Sequence, residues 1–276
     1  MSNLLKRSLW GILYVVIMMG GILIHPYAFA LIFATVLFFT QYEFYAMVDE
    51  AGHKITRLPG TLMGVSYFLV TFAVANGFLP SAFNLVFIPI ILLIYIIELF
   101  RRNPNTLERS GITLLGFIYI AAPFSLMNFV VNTSVNGQSN VYYPWILAGV
   151  FFILWVNDSF AYLIGTRFGR HKMCPGISPA KSWEGLIGGA VFGVVMGILN
   201  AVIFQGLSML SWIVIALLTV SFGTLGDLFE SKIKREIGAK DSGNILPGHG
   251  GFLDRLDSLL FAIPAVFLWL IFSGNM

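Results

Sequence analysis

Long runs of apolar residues constrain the fold of this chain most strongly. A bilayer core is about 30 Å thick and a helix rises about 1.5 Å per residue, so roughly 17 to 25 apolar residues can cross it. By this measure the chain contains about nine such runs, separated by short polar or Pro/Gly breaks. They lie near 8–24, 27–48, 59–76, 83–100, 111–131, 143–165, 183–204, 209–226 and 257–273. Only 11% of the residues are charged, against roughly a quarter in a soluble globule. We therefore predict an all-α, polytopic membrane protein with a single domain over residues 1–276.

The basic side chains are confined to the N-terminus and to alternate connections between these runs. Lys and Arg occupy positions 6, 7, 54, 57, 101, 102, 109, 167, 170, 172, 181, 232, 234, 235, 240 and 255. Since cytoplasmic loops carry the excess of Lys and Arg, we predict a cytoplasmic N-terminus and an outer C-terminus. The predicted cytoplasmic loops are 49–58, 101–110, 166–182 and 227–256.

The first apolar run has an alternative interpretation as a signal peptide. Lys6 and Arg7 precede it, and residues 28–30 resemble a cleavage site. Cleavage there would start the mature chain inside the next apolar run. We therefore expect residues 8–24 to form a retained helix.

The segment 227–257 gathers acids and bases between two apolar runs. Carboxylates are the oxygen ligands that Mg²⁺ prefers, and Lys and Arg bind phosphate oxygens, so the mixture favours a site for a metal and a polyphosphate. A solvated, salt-bridged loop is the alternative. We predict Asp227 and Asp254 as metal ligands, joined by Asp257, which lies three residues after Asp254 on one helix face.

A glycine-rich turn, "PGHGG" at 247–251, leads into the last apolar run. Glycine backbone and free N–H groups at a helix N-terminus can approach phosphate closely, which favours a substrate contact at Gly250 and Gly251. An ordinary turn before a helix is the alternative. His249 could bind a phosphate oxygen or hold the turn, and the sequence leaves its role open.

A second polar stretch comprises "WVNDSFAYLIGTRFGRHK" at 155–172 and "SPAKSWEG" at 178–185. Asp158 lies within an apolar run, where the cost of a charge predicts a partner such as a metal or a base. Phosphate contacts are expected from Ser178, Lys181 and Ser182. Glycines at helical spacing in the next run predict close helix packing; they are residues 188, 189, 193 and 197.

Residues 231–257, "SKIKREIGAKDSGNILPGHGGFLDRLD", resemble the signature of the phosphatidate cytidylyltransferase family, also called CDP-diacylglycerol synthases. The resemblance covers the whole signature. Its polar and glycine positions are Ser231, Lys234, Arg235, Lys240, Asp241, His249, Gly250, Gly251, Asp254, Arg255 and Asp257. The stretches "DSFAYLIG" and "SPAKSWEG" are similar to the other polar segments of that family.

This resemblance implies a multi-pass enzyme of phospholipid biosynthesis in the inner membrane, with its active site facing the cytoplasm. The implied reaction converts phosphatidate and CTP to CDP-diacylglycerol and pyrophosphate with Mg²⁺. A homodimer and K⁺ in a second metal position are also implied, and no nucleic acid is expected as a partner.

The residue chemistry and the resemblance together give the expected roles of individual residues. The catalytic residues would be Asp227, Asp254, Lys240, Asp241 and Arg255. Substrate contacts would come from Ser178, Lys181, Ser182, Lys234, Arg235, His249, Gly250 and Gly251. The metal ligands would be Asp158, Asp227, Asp254 and Asp257.

Three other functions are less consistent with the sequence. In a transporter or channel Asp158 could belong to an ion path, but the acids cluster at one membrane face. CDP-alcohol phosphotransferases carry a "DGxxAR" signature that this sequence lacks. A CTP-using lipid kinase would release CDP, whereas a cytidylyltransferase releases pyrophosphate.

Overall fold

The computed structural model describes residues 3–101, 105–133, 141–243 and 250–275, with side chains from residue 10 onward. Its α-helices are α1 (Asn3–Ile24), α2 (Pro26–Val48), α3 (Arg57–Ala75), α4 (Phe87–Leu99), α5 (Thr106–Gly116), α6 (Ala122–Val130), α7 (Trp145–Phe168), α8 (Trp183–Ile203), α9 (Met209–Glu236) and α10 (Leu253–Phe272). A 3₁₀ turn, Ser81–Val86, precedes α4, and π-helical turns at Asp49–His53 and Phe117–Ala121 follow α2 and α5.

Eight helical segments of the described chain are long and apolar enough to cross a membrane. They are Pro26–His53, Arg57–Ala75, Ser81–Leu99, Thr106–Val130, Trp145–Phe168, Trp183–Ile203, Met209–Glu236 and Leu253–Phe272. A shorter apolar stretch, Trp10–Ile24, belongs to α1. The predicted all-α, polytopic membrane fold is thereby confirmed, and the orientation of the termini stays a prediction.

The ninth helix, α9, extends ten residues past the end of the predicted run at 226. The ion pair of Lys234 with Glu230, one helical turn apart and largely buried, supports this extension. Much of the predicted loop 227–256 is therefore helical, and Asp227 lies on a helix face.

The predicted loop 166–182 contains a small β-hairpin, which departs from a purely helical fold. Its antiparallel strands are β1 (Lys172–Cys174) and β2 (Ser178–Ser182). At the end of β2, Ser182 Oγ accepts a hydrogen bond of 3.2 Å from Gly185 N and so caps α8. The hairpin thus ends directly at the start of a membrane-length helix.

The described chain divides into two compact units. Unit 1 comprises residues 1–129 and 237–255, and unit 2 comprises 130–236 and 256–276. Asp254 therefore belongs to unit 1, whereas Asp227 and Asp257 belong to unit 2. The expected organisation as one domain stays a prediction.

Buried aromatic and polar side chains hold unit 1 together around α2. The hydroxyl of Tyr45, in α2, donates to the carbonyl of Thr113 at 2.8 Å and accepts from Gln41 at 3.0 Å. Arg109 in α5 pairs with Glu98 in α4 at 2.8 Å, and both side chains are buried. Such pairs satisfy polar groups that would otherwise be costly inside an apolar bundle.

A glycine face on α8 allows close packing within unit 2, as the spacing of the glycines predicts. Of the four glycines predicted to pack, Gly189, Gly193 and Gly197 are buried and Gly188 is half-buried, and Gly185, one turn before Gly189, is also buried. A Cβ at Gly189 would lie 2.7 Å from Oδ1 and 2.8 Å from the carbonyl oxygen of Asn157 in α7. No side chain fits there without moving the helices apart.

We expect Gly189→Ala to destabilise the protein by about 1–3 kcal/mol, the usual cost of overpacking a core. The measurement is the thermal unfolding temperature of the purified protein in detergent. Gly111→Ala is the matched control, because Gly111 is helical and a Cβ there meets no atom within 4 Å. An equal effect of the two substitutions would contradict the packing role of Gly189.

Candidate active site

Four carboxylates from three helices form an acidic cluster in unit 2. Asp158 lies on α7, Asp227 and Glu230 on α9, and Asp257 on α10. Asp257 is 9% exposed, and the negative charges of the other three act on its carboxylate. Three of the predicted metal ligands therefore lie together, accompanied by Glu230.

The position of each acid follows from its helix. Asp227 and Glu230 are three residues apart and so share one face of α9. The ring of Phe229 packs against Phe261 of α10 at 5.3 Å between centroids, which joins the two helices beside Asp257. Asp257 Oδ1 also accepts a 2.7 Å hydrogen bond from Ser258 N. Helix packing thus brings acids that are distant in sequence into one place.

Two lysines pair with this acidic cluster. Lys181 Nζ, from β2, pairs with Asp227 Oδ2. Lys234 Nζ pairs with Glu230 Oε2 at 2.5 Å, and this pair is 12% and 3% exposed. The hairpin therefore positions the side chain of Lys181 against α9.

The donors of the acidic cluster fit a hard divalent cation. Carboxylate oxygens are the ligands of Mg²⁺, and carboxylates held close together at a buried position repel one another unless cations compensate them. Within the residues described, no group of three or more His, Cys, Asp or Glu side chains has the arrangement of a metal site. The residue types of the acidic cluster suit a metal, whereas their arrangement in the described structure does not form a site for one, and the ligand set stays a prediction.

Asp254, the second predicted metal ligand, organises the backbone of unit 1. Its two carboxylate oxygens each accept from Ser242 N at 3.1 Å, and one accepts from Gly251 N at 2.8 Å. Gly250 has φ +80°, a conformation that favours glycine. We call residues 250–252 the glycine turn; it is fixed by Asp254 at the start of α10.

The other predicted site residues differ in their surroundings. Ser182 is buried and its hydroxyl caps α8, whereas Ser178 is half-buried in β2. The predicted site residues with exposed charges are Asp158, Arg235, Lys240, Asp241 and Arg255. His249 lies outside the described residues.

Two functional candidates were absent from the sequence-based prediction. Glu230 could have been found, because it lies one turn after Asp227 and one turn before Lys234. Glu43, on α2, accepts a hydrogen bond from Leu253 N at 3.2 Å, across 210 residues of sequence. Nothing in the sequence connects those two positions.

Known proteins resemble the chain over almost its whole length. The Cytidylyltransferase family matches residues 5–273. A phosphatidate cytidylyltransferase from Bacillus subtilis (strain 168) is 33% identical over 285 residues, covering 99% of this chain and 100% of that protein. Proteins of the same name from Haemophilus influenzae and Staphylococcus aureus (strain COL) are 43% identical over 125 residues and 38% identical over 174 residues. These matches cover 44% and 62% of this chain, and 43% and 63% of the respective proteins. The chain belongs to the cytidylyltransferase family.

Proposed function

We propose that this protein is a phosphatidate cytidylyltransferase, which transfers CMP from CTP to phosphatidate and makes CDP-diacylglycerol. The observation that carries the proposal is the end-to-end similarity to the Bacillus subtilis enzyme of that name. The acidic cluster and its lysines supply a site suited to phosphoryl chemistry.

The reaction needs charge compensation more than it needs a general base. The phosphate monoester of phosphatidate has a second pKa of about 6, so it is largely dianionic at neutral pH. One of its oxygens bonds to the α-phosphorus of CTP, the bond from that phosphorus to the β-phosphate bridge breaks, and pyrophosphate leaves. Because a dianion must approach a polyanion in line, catalysis depends on positioning and on cationic groups.

The basic residues would neutralise and orient the substrate phosphates. Lys181 and Lys234 lie at the acidic cluster, where each is paired with a carboxylate. The exposed side chains of Arg235, Lys240 and Arg255 are accessible to a nucleotide from solution.

Asp227, Asp257 and Asp158, which all belong to unit 2, would hold Mg²⁺. Mg²⁺ would neutralise charge on the phosphates during transfer. Lys181 pairs with Asp227 in the structure, so its ammonium lies beside a predicted metal ligand, where it would contact a substrate phosphate. K⁺ in a second metal position is part of the same proposal.

The membrane allows a lipid and a nucleotide to meet. Eight described helical segments can cross a bilayer, so the acyl chains of phosphatidate can remain in the membrane while its headgroup reaches the site. The distribution of Lys and Arg supports an active site on the cytoplasmic side of the inner membrane. We further propose a homodimer.

The test is an assay of the purified full-length protein with phosphatidate, Mg²⁺ and CTP labelled at its α-phosphate. The expected products are a lipid that carries the label and unlabelled pyrophosphate. CTP labelled at the γ-phosphate should leave the lipid unlabelled, which separates this enzyme from a CTP-using lipid kinase. Release of CDP, or no labelled lipid across a range of Mg²⁺ and K⁺ concentrations, would contradict the proposal.

A further inference from the structure

Glu43 is a buried acid in α2 that has no role in the chemistry proposed above. Its side chain is 3% exposed, within a helix long and apolar enough to cross a membrane. Burying a carboxylate costs free energy unless hydrogen-bond donors compensate it. The partners of Glu43 should therefore explain why an acid occupies this position.

Those partners are backbone groups at the beginning of α10. Leu253 N donates to Glu43 Oε2 at 3.2 Å, and the backbone of Phe252 also interacts with the carboxylate. Leu253 is the first residue of α10, and the first N–H groups of a helix have no partner inside the helix. A carboxylate also interacts favourably with the positive end of the helix dipole. Glu43 thus anchors the N-terminus of α10 to α2.

The same carboxylate lies against two glycines of the signature segment, Gly243 and Gly251. A Cβ at Gly243 would be 2.7 Å from Glu43 Oε1, and a Cβ at Gly251 would be 2.5 Å from Oε2. One turn earlier on α2, the ring of Phe39 stacks on Phe252, with centroids 5.6 Å apart and planes at 14°. One face of α2 therefore holds the glycine turn through a polar contact and an aromatic one.

The negative charge of Glu43 costs free energy that an apolar side chain at this position would not cost. The carboxylate of Asp254, which accepts a hydrogen bond from Gly251 N, acts on Glu43 as a like charge. Replacing buried charges by well-packed apolar groups is often neutral or stabilising. Packing alone therefore does not account for the acid, whereas fixing the direction of backbone N–H groups does.

We propose that Glu43 is a positioning residue that holds the glycine turn and the start of α10 in the geometry that receives the phosphates of CTP. The proposal rests on the proposed function for the identity of the ligand. The anchoring contact itself rests only on the geometry of unit 1.

The test compares Glu43→Ala and Glu43→Gln with the wild type, using full-length protein in nanodiscs. Glu43→Ala removes both acceptor oxygens, and we expect KM for CTP to rise about tenfold, equivalent to ~1.4 kcal/mol of binding. KM for phosphatidate should not change. Glu43→Gln keeps one acceptor and most of the volume, so a smaller rise of about threefold is expected. Amide hydrogen exchange at residues 250–253 should be faster in Glu43→Ala and unchanged elsewhere.

Glu98→Gln is the control for losing a buried acid in unit 1. Glu98 is 5% exposed and pairs with Arg109 and Arg101. This variant should unfold at a lower temperature but keep the wild-type KM for CTP and the wild-type exchange at 250–253. An equal rise in KM from Glu98→Gln, or an unchanged KM in Glu43→Ala, would overturn the positioning role.

Two further outcomes distinguish failure of the positioning role from misfolding of a variant and from failure of the proposed function. If Glu43→Ala does not fold, an unchanged KM for CTP in Glu43→Gln overturns the proposal instead. If the wild type forms no liponucleotide, the proposed function fails, and the exchange rates at 250–253 still decide whether Glu43 anchors the turn. Faster exchange spread across unit 1 would count against it.

Discussion

Asp227→Asn should lower the rate of CDP-diacylglycerol formation by about 10²- to 10³-fold, the range typical when one electrostatic contact to a transition state is removed. The substitution keeps the size of the side chain and removes the negative charge that pairs with Lys181. It would therefore lose both a cation ligand and the group that positions a lysine. The measurement is the initial rate at saturating phosphatidate and CTP, with Mg²⁺ varied.

Glu236→Gln is the matched control for this prediction. Glu236 lies on the same helix as Asp227, but it is 67% exposed and its only described ion pair, with Lys232, is long at 3.9 Å. Exposed pairs of this kind contribute little to stability or structure. We expect this variant to keep wild-type activity. Comparable losses of activity in both variants would show that the effect does not depend on the position of Asp227 in the acidic cluster.

The long apolar runs predicted most of the fold, because membrane thickness fixes the length of a spanning helix. The ends of the helices were less predictable. The run ending at 226 does not reveal that α9 continues to Glu236, since the continuation depends on ion pairs rather than on apolar residues. The short strands β1 and β2 are too brief to leave a periodic signal.

The candidate site was predictable where its residues share one helix. Asp227 belongs to a polar pattern along α9, and the spacing of Asp254 and Asp257 fits one turn of α10. Contacts between helices were not predictable, because a single sequence contains no information on which faces meet. The pairing of Lys181 with Asp227 and of Glu43 with Leu253 depends on tertiary packing.

The structure adds a second role for Asp254 to the metal-binding role predicted from the sequence, which stays a prediction. The sequence predicts a metal ligand, whereas the carboxylate accepts hydrogen bonds from Ser242 N and Gly251 N. Ionised carboxylates bound by backbone N–H groups form strong, charge-assisted hydrogen bonds. Asp254 therefore shapes the glycine turn directly, and a ligand role would be additional to this one.

Asp257→Asn should raise the stability of the protein and lower its activity. The substitution neutralises a carboxylate that lies among other negative charges. Asp257 is buried beside Asp227, Glu230 and Asp158. Removing its charge relieves their repulsion, so we expect the protein without Mg²⁺ to gain about 1 kcal/mol, or roughly 2–4 °C in unfolding temperature. The hydrogen bond from Ser258 N can be kept, since the Asn oxygen also accepts.

The same substitution should lower activity by about 10²-fold and weaken the stabilisation that we expect Mg²⁺ to give the wild type. Functional sites commonly keep such unfavourable charges, because the ligand that offsets them is part of the reaction. Thermal unfolding with EDTA and with Mg²⁺, together with the initial rate, measures both effects.

Glu184→Gln, in the same unit, should change the unfolding temperature in the opposite direction. Glu184 lies outside the acidic cluster and accepts hydrogen bonds from the backbone N–H groups of Arg170 and His171 at 3.1 and 3.2 Å. Its charge is satisfied, so neutralising it should lower the unfolding temperature and leave the response to Mg²⁺ intact. If Asp257→Asn behaved like Glu184→Gln, the acidic cluster would be a network of ordinary structural contacts. A stabilised but inactive Asp257→Asn protein would instead mean that the repulsion among these four carboxylates is maintained for binding a cation.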